Sequence, residues 1–90
     1  MSDQPHYIGH RKRLKERFIQ ERSSLSDYEL LELLLGYALP RRDTKPLAKQ
    51  LLQRFGSLKG VFSARAEELR EVDGFGPGLE VFWGVWREFW

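Results

Sequence analysis

Apolar residues recur along this chain at intervals of three and four, and no stretch alternates with period two for long enough to make a strand. The pattern predicts a first helix over residues 10–22, with Leu14 and Phe18 facing inward and Tyr7 or Ile8 leading in. Its other faces carry Arg11, Lys12, Arg13, Lys15 and Arg17, and Glu16 and Glu21 stand four residues from Lys12 and Arg17, a spacing that allows ion pairs. Ser26-Asp27-Tyr28-Glu29 has the form of a capping box, in which serine and glutamate exchange bonds with each other's backbone. The helix it opens runs to about Ala38 and is leucine-rich almost all round, leaving Glu29, Glu32 and Gly36 as its polar stripe. Such a helix belongs at the centre of an all-α domain. Pro40 stops it. Asp43 or Thr44 caps a third helix, whose apolar face is Leu47, Ala48, Leu51, Leu52 and Phe55 and whose end is marked by Gly56. Residues 57–63 read as a short fourth helix holding Leu58, Val61 and Phe62.

The last third reads L-R-E-V-D-G-F-G-P-G-L-E-V-F over residues 69–82. A short helix over 67–72 runs into Gly74, Gly76 and Gly78, and a final helix starts at Gly78 or Leu79. Glycines at alternate positions permit positive φ and a tight reversal between two helices, with Phe75 tucked into the core. The unpaired N–H groups of the second helix would then form a seat for phosphate. Beyond the turn, Val81, Phe82, Val85, Trp86, Phe89 and Trp90 fall on one apolar stripe, with Trp83 off it.

Ninety residues is one small domain, with ordinary apolar content and no cysteine. The absence of cysteine excludes a disulfide scaffold and a thiolate metal site and fits a reducing, cytoplasmic setting. No segment approaches the roughly 20 continuous apolar residues of a membrane span, so no membrane partner is expected. The polar first residues resemble neither a signal nor a transit peptide, and residues 1–8 are expected to be flexible. Net charge is +2, unevenly spread: +3 over residues 1–22, −3 over 23–40, +6 over 41–65 and −4 over 66–90. The cations therefore lie away from the glycine turn in sequence.

The glycine turn resembles the helix-hairpin-helix motif of sequence-independent DNA-binding proteins. Taken with Gly9-His10-Arg11 through Arg17-Phe18, the D-Y-E-L-L-E-L-L-L block at 27–35, the P-R-R-D-T-K-P-L-A block at 40–48 and L-L-Q-R-F-G-S-L at 51–58, the chain from about Gly9 onward resembles the N-terminal domain of the RadC-like family of bacterial proteins. Residues 55–76 also resemble the paired hairpins of the excision-nuclease subunit UvrC. The resemblance implies an all-α, compact bundle of five to six helices over 9–90, ending in a helix-hairpin-helix unit at about 66–89. In that family the domain precedes a metal-dependent JAB/MPN-type domain with an H-x-H-P-S-G-like motif, no part of which is in this sequence. The family name implies a DNA-repair context. Two positions depart from the family: Glu80 stands where alanine is frequent and Leu79 where a polar or basic residue is frequent. A carboxylate there suits the helix dipole but repels phosphate.

These readings give a set of expectations. Gly74, Gly76 and Gly78 would hold a phosphate on backbone N–H groups, or else form a purely structural turn closing the core. Arg41, Arg42, Lys45 and Lys49, with Arg11 and Arg13 on the first helix, would attract DNA, or else form solvated helix faces. Similar hairpins hold a monovalent cation on the turn carbonyls; no other cofactor is expected. His6 and His10 stand four apart but have no further ligand-type residues converging on them, so no metal site is expected, and His10 is read as ordering the start of the first helix. No nucleophile–histidine set exists, and catalysis by this chain is not expected. Trp86, Phe89 and Trp90 are expected to meet a following domain or a second copy of the chain. The function read from the sequence is non-catalytic, sequence-independent DNA binding, with a scaffold or self-association domain as the rival.

Overall fold

The computed structural model describes residues 6–89, and its element order is wholly helical. Helix α1 spans His6–Gln20 and is followed by a 3-10 turn, Arg22–Ser24. The others are α2 (Asp27–Ala38), α3 (Lys45–Phe55), α4 (Leu58–Ser63), α5 (Ala66–Arg70) and α6 (Pro77–Arg87). Helix α1 thus begins earlier than the leucine spacing suggested, since His6, Tyr7 and Ile8 are already helical. Residues 1–5 of the segment expected to be flexible lie outside the described residues.

Local chemistry explains the boundaries. Ser26 Oγ accepts from the Glu29 N–H at 3.2 Å and the Ser26 N–H donates to Glu29 Oε1 at 3.0 Å, completing the capping box at the start of α2. At α3 the side-chain bond comes from Asp43, since the Thr44 hydroxyl donates instead to the Glu32 carbonyl at 3.3 Å. Thr44 occupies the cap position, while the Asp43 carboxylate accepts from the Lys45 N–H at 3.1 Å. Gly56 ends α3 with φ of +83°, a left-handed turn that favours glycine. Ser57 caps α4 by accepting from the Gly60 N–H at 3.0 Å.

Leu31 and Leu35 of α2 pack with Leu47, Ala48 and Leu51 of α3, Val61 of α4 and Leu69 of α5, and with Phe75, Leu79 and Trp83 from the last turn and helix. Helix α1 adds Leu14 but is otherwise fastened to α2 and its flanking turn by polar bonds, which changes four sequence expectations. Glu32, read as part of an outward polar stripe, is 2% exposed, and its carboxylate accepts from His10 Nε2 at 2.7 Å. His10 therefore pins α1 to α2 rather than ordering the start of its own helix. Arg17 pairs with Glu29 at 2.6 Å rather than with Glu21. With His10, Arg11, Leu14 and Arg17 turned toward α2 and its flanking turns, Phe18 is left at the edge of the interface, exposed rather than inward.

Helix α6 also presents a different face from the one expected. Trp83 is 2% exposed and lies at the centre of an aromatic cluster, stacked on Phe62 at 5.4 Å and edge-on to Phe75 at 5.4 Å. Val81, Val85 and Phe89 face outward. The inward stripe is Leu79 and Trp83 at i, i+4, with Phe82 and Trp86 flanking it, half-buried. The indole is too large to hide anywhere but the core, and its burial fixes the rotation of the helix. Among the described residues no helix is long and apolar enough to cross a membrane.

Candidate nucleic-acid interface

Helices α5 and α6 form a hairpin whose turn is built from buried anchors and exposed backbone. Val72 and Phe75 point into the core, and the Phe75 N–H donates to the Val72 carbonyl at 3.0 Å. Gly74 between them takes φ of +93°, which no side chain adopts without strain. The other two glycines serve differently from the expectation of alternating positive φ. Gly76 is extended and caps α6, and Gly78 is inside its first turn. A Cβ on either would meet nothing within 4 Å, so the fold itself does not demand glycine there. No side chain caps α6, and the Gly78 and Leu79 N–H groups have no partner among the described residues.

The fold brings one member of the distant cationic block to this turn. Arg42, from the connection between α2 and α3, places Nη1 3.5 Å from the Gly74 carbonyl. Its Nη2 stands 3.1 Å from where a Gly74 Cβ would be, and Leu47 of α3 underlies the same spot. Arg42, Arg70, Glu71, Asp73, Gly74, Phe75 and Gly76 line an open cleft of about 460 Å³, so two acids share it with two cations. Glu71 is ion-paired with Arg54.

Glu80 lies beside this cleft, but its carboxylate is not left to face a ligand. Arg70 grips it with Nε at 2.7 Å and Nη2 at 2.8 Å, a fork-to-carboxylate pair across the hairpin. The hydrogen bonds from Arg70 hold the Glu80 carboxyl below the usual carboxylate range, and the same bonds raise Arg70. Arg70 was missed by the sequence reading, which took the segment as acidic. A cation and an acid ten residues apart across a predicted hairpin were the available signal.

Of the remaining candidates, Arg41 is exposed on the same connection as Arg42, and Lys45 and Lys49 follow one turn apart on α3; none of them lines the cleft. Arg13 is exposed on α1, beside Gly9. Arg11 is corrected outright. It is 7% exposed, and its guanidinium donates to the carbonyls of Pro40 at 2.7 Å, Leu39 at 3.4 Å and Arg42. A fork buried on the carbonyls that end α2 is a structural clamp and cannot reach DNA. In the tail, Trp86 is half-buried against Phe62 at 4.8 Å, whereas Phe89 is exposed; Trp90 lies outside the described residues. Among the described residues no group of three or more His, Cys, Asp or Glu side chains is placed to hold a metal.

A family model described as UPF0758 N-terminal matches residues 7–79, which takes in every helix up to the start of α6. No solved structure matches the chain.

Proposed function

The chain belongs to the UPF0758 N-terminal family, the N-terminal region of RadC-family proteins, and from that premise we propose that this domain binds DNA through its phosphate backbone, in a repair-related context, without catalysis of its own. The observation that carries the reading is Arg42 at the hairpin turn. A phosphate approaching α6 would meet the unpartnered Gly78 and Leu79 N–H groups at the positive end of the helix dipole. The Arg42 fork would supply the charge-assisted bonds. Gly76 and Gly78 leave the approach free of Cβ atoms. Arg42 already stands at the Gly74 carbonyl, so in this reading the guanidinium takes the place that a monovalent cation holds in similar hairpins. Arg41, Lys45 and Lys49 add longer-range attraction, and with Glu80 engaged by Arg70 the local repulsion comes from Asp73 and the paired Glu71. Contacts limited to phosphates give register without sequence readout.

A salt titration against duplex, branched and single-stranded oligonucleotides tests this. Two or three phosphate contacts predict a linear loss of log affinity with log salt, of slope about −1.5 to −3. Arg42→Ala is expected to weaken binding equally for every sequence and to flatten the slope by about 1. Absence of binding to all three forms at low salt overturns the reading. It would favour a second one, a scaffold domain that positions a following JAB/MPN-type domain or associates with itself. The observation on its side is the exposed apolar face of α6.

A further inference from the structure

Two unpartnered apolar surfaces lie on different parts of this domain, one convex and one concave. The convex one is the outer face of α6, where Val81 and Val85 stand at i, i+4, with Phe89, 82% exposed, in the turn that follows the helix. Gly78 and Gly84 beside them leave the ridge unobstructed, with nothing within 4 Å of either missing Cβ. Among the exposed residues of 77–89 the one charged side chain is Glu88, so this solvent face lacks the lysines and arginines that ordinarily keep an exposed helix soluble.

The concave surface is a groove of about 310 Å³ between α1 and α2, floored by Leu30, Leu33 and Leu34 and walled by Phe18, Ile19 and Tyr37. The charges that border it are positive. The Lys15 ammonium sits 4.9 Å from the Tyr37 ring centroid and the Arg22 guanidinium 5.3 Å from that of Phe18, each cation resting on a wall of the groove. The groove exists because α1 is fastened to α2 by His10, Arg11 and Arg17, leaving the leucine face of α2 only partly covered.

We infer that these surfaces are the two halves of one interface, in which the α6 ridge of one copy of this chain seats in the α1–α2 groove of another. The complement is one of shape and of charge: a ridge whose one exposed charge is acidic meets a groove whose mouth carries Lys15 and Arg22. The stretches that form the groove, 1–22 at +3 and 23–40 at −3, cancel, so the charge complement is local, between Glu88 on the ridge and the Lys15 and Arg22 cations at the groove. Both surfaces stay open within a single molecule, so the ridge of a molecule does not fill its own groove. Because ridge and groove are different patches, the contact is head-to-tail and extends with concentration unless it closes into a ring. The hairpin cleft is lined by neither surface and stays open in the assembly.

Sedimentation velocity from micromolar to millimolar concentration tests this with two exposed-position variants. Val85→Glu places a carboxylate on the ridge, and Ile19→Glu, at a position 84% exposed, places one on the groove wall. The wild-type chain is expected to grow past the dimer with concentration and each variant to remain monomeric, with far-UV circular dichroism unchanged. Mixed in equal amounts, the two variants are expected to form a dimer and nothing larger, since the mixture holds one intact ridge and one intact groove per pair. A wild-type monomer throughout the range overturns the inference. So does association that survives Ile19→Glu, the mark of a two-fold ridge-to-ridge contact, or a mixture that stays monomeric.

Discussion

Gly60 and Gly84 both lie inside helices, and their surroundings give them opposite meanings. A Cβ on Gly60 would fall 2.1 Å from the Phe55 carbonyl oxygen, because α4 packs directly over the last turn of α3. That oxygen is backbone and cannot swing aside. Gly60→Ala is therefore expected to destabilise the domain by about 3 kcal/mol or more. Gly84→Ala, with open space around it, is expected to stabilise by about 0.5–1 kcal/mol through helix propensity alone. Urea unfolding of both variants measures the contrast. Nothing in the sequence distinguishes these two residues, since the obstacle to one is a carbonyl supplied by a neighbouring helix. Glu32 and Arg11 escaped the sequence for the same reason. A charged side chain reads as solvated until the group that satisfies it is known, and theirs stand 22 to 33 residues away.

At the scale of elements, the start of α2 carries a testable pH dependence. The hydrogen bond from Arg17, and after it the one from the Ser26 backbone, hold the Glu29 carboxyl below its ordinary value. A carboxyl depressed in the folded state contributes stability above its unfolded value and loses that contribution as pH falls through the folded one. The loss is therefore expected below about pH 4, and Glu29→Gln should flatten the acid limb of the unfolding midpoint against pH while lowering the midpoint at neutral pH. This cap was readable because all its parts lie within four residues. So were the Gly56 stop and the existence of every helix. The rotation of α6 was not. Its residues are apolar on nearly every side, so counting apolar positions favours the stripe through Val81 and Val85. The fold instead follows volume, placing Leu79 and Trp83 inward.

On the scale of the whole molecule, charges far apart in sequence become neighbours. The +6 block and the acidic hairpin look opposed when read in order, yet Arg42 reaches Gly74 across 32 positions. The turn of the candidate site was legible, because its glycines and Phe75 are contiguous; of its cations, Arg42 was legible as a cation but not its place at the turn, because it arrives from another connection, and Arg70 was not, because it sits among acids and is engaged by Glu80. On the DNA-binding proposal, that engagement has a consequence for affinity. Glu80→Gln removes the acceptor charge and releases the Arg70 fork at the cleft, and DNA affinity at low salt is expected to rise by up to about tenfold, with a steeper salt slope. Fluorescence anisotropy at two salt concentrations checks it.

The buried Arg11 clamp gives the cleft a dependence that the hairpin alone does not reveal. One of the carbonyls it holds belongs to Arg42 itself. The first helix therefore sets the position of the guanidinium that overhangs the last turn, and the chain is tied end to end through a connection that belongs to neither. A graft of the hairpin into another protein would carry the glycines and leave the cation behind. In this domain the motif is not a cassette; it is assembled from three separate stretches of the chain.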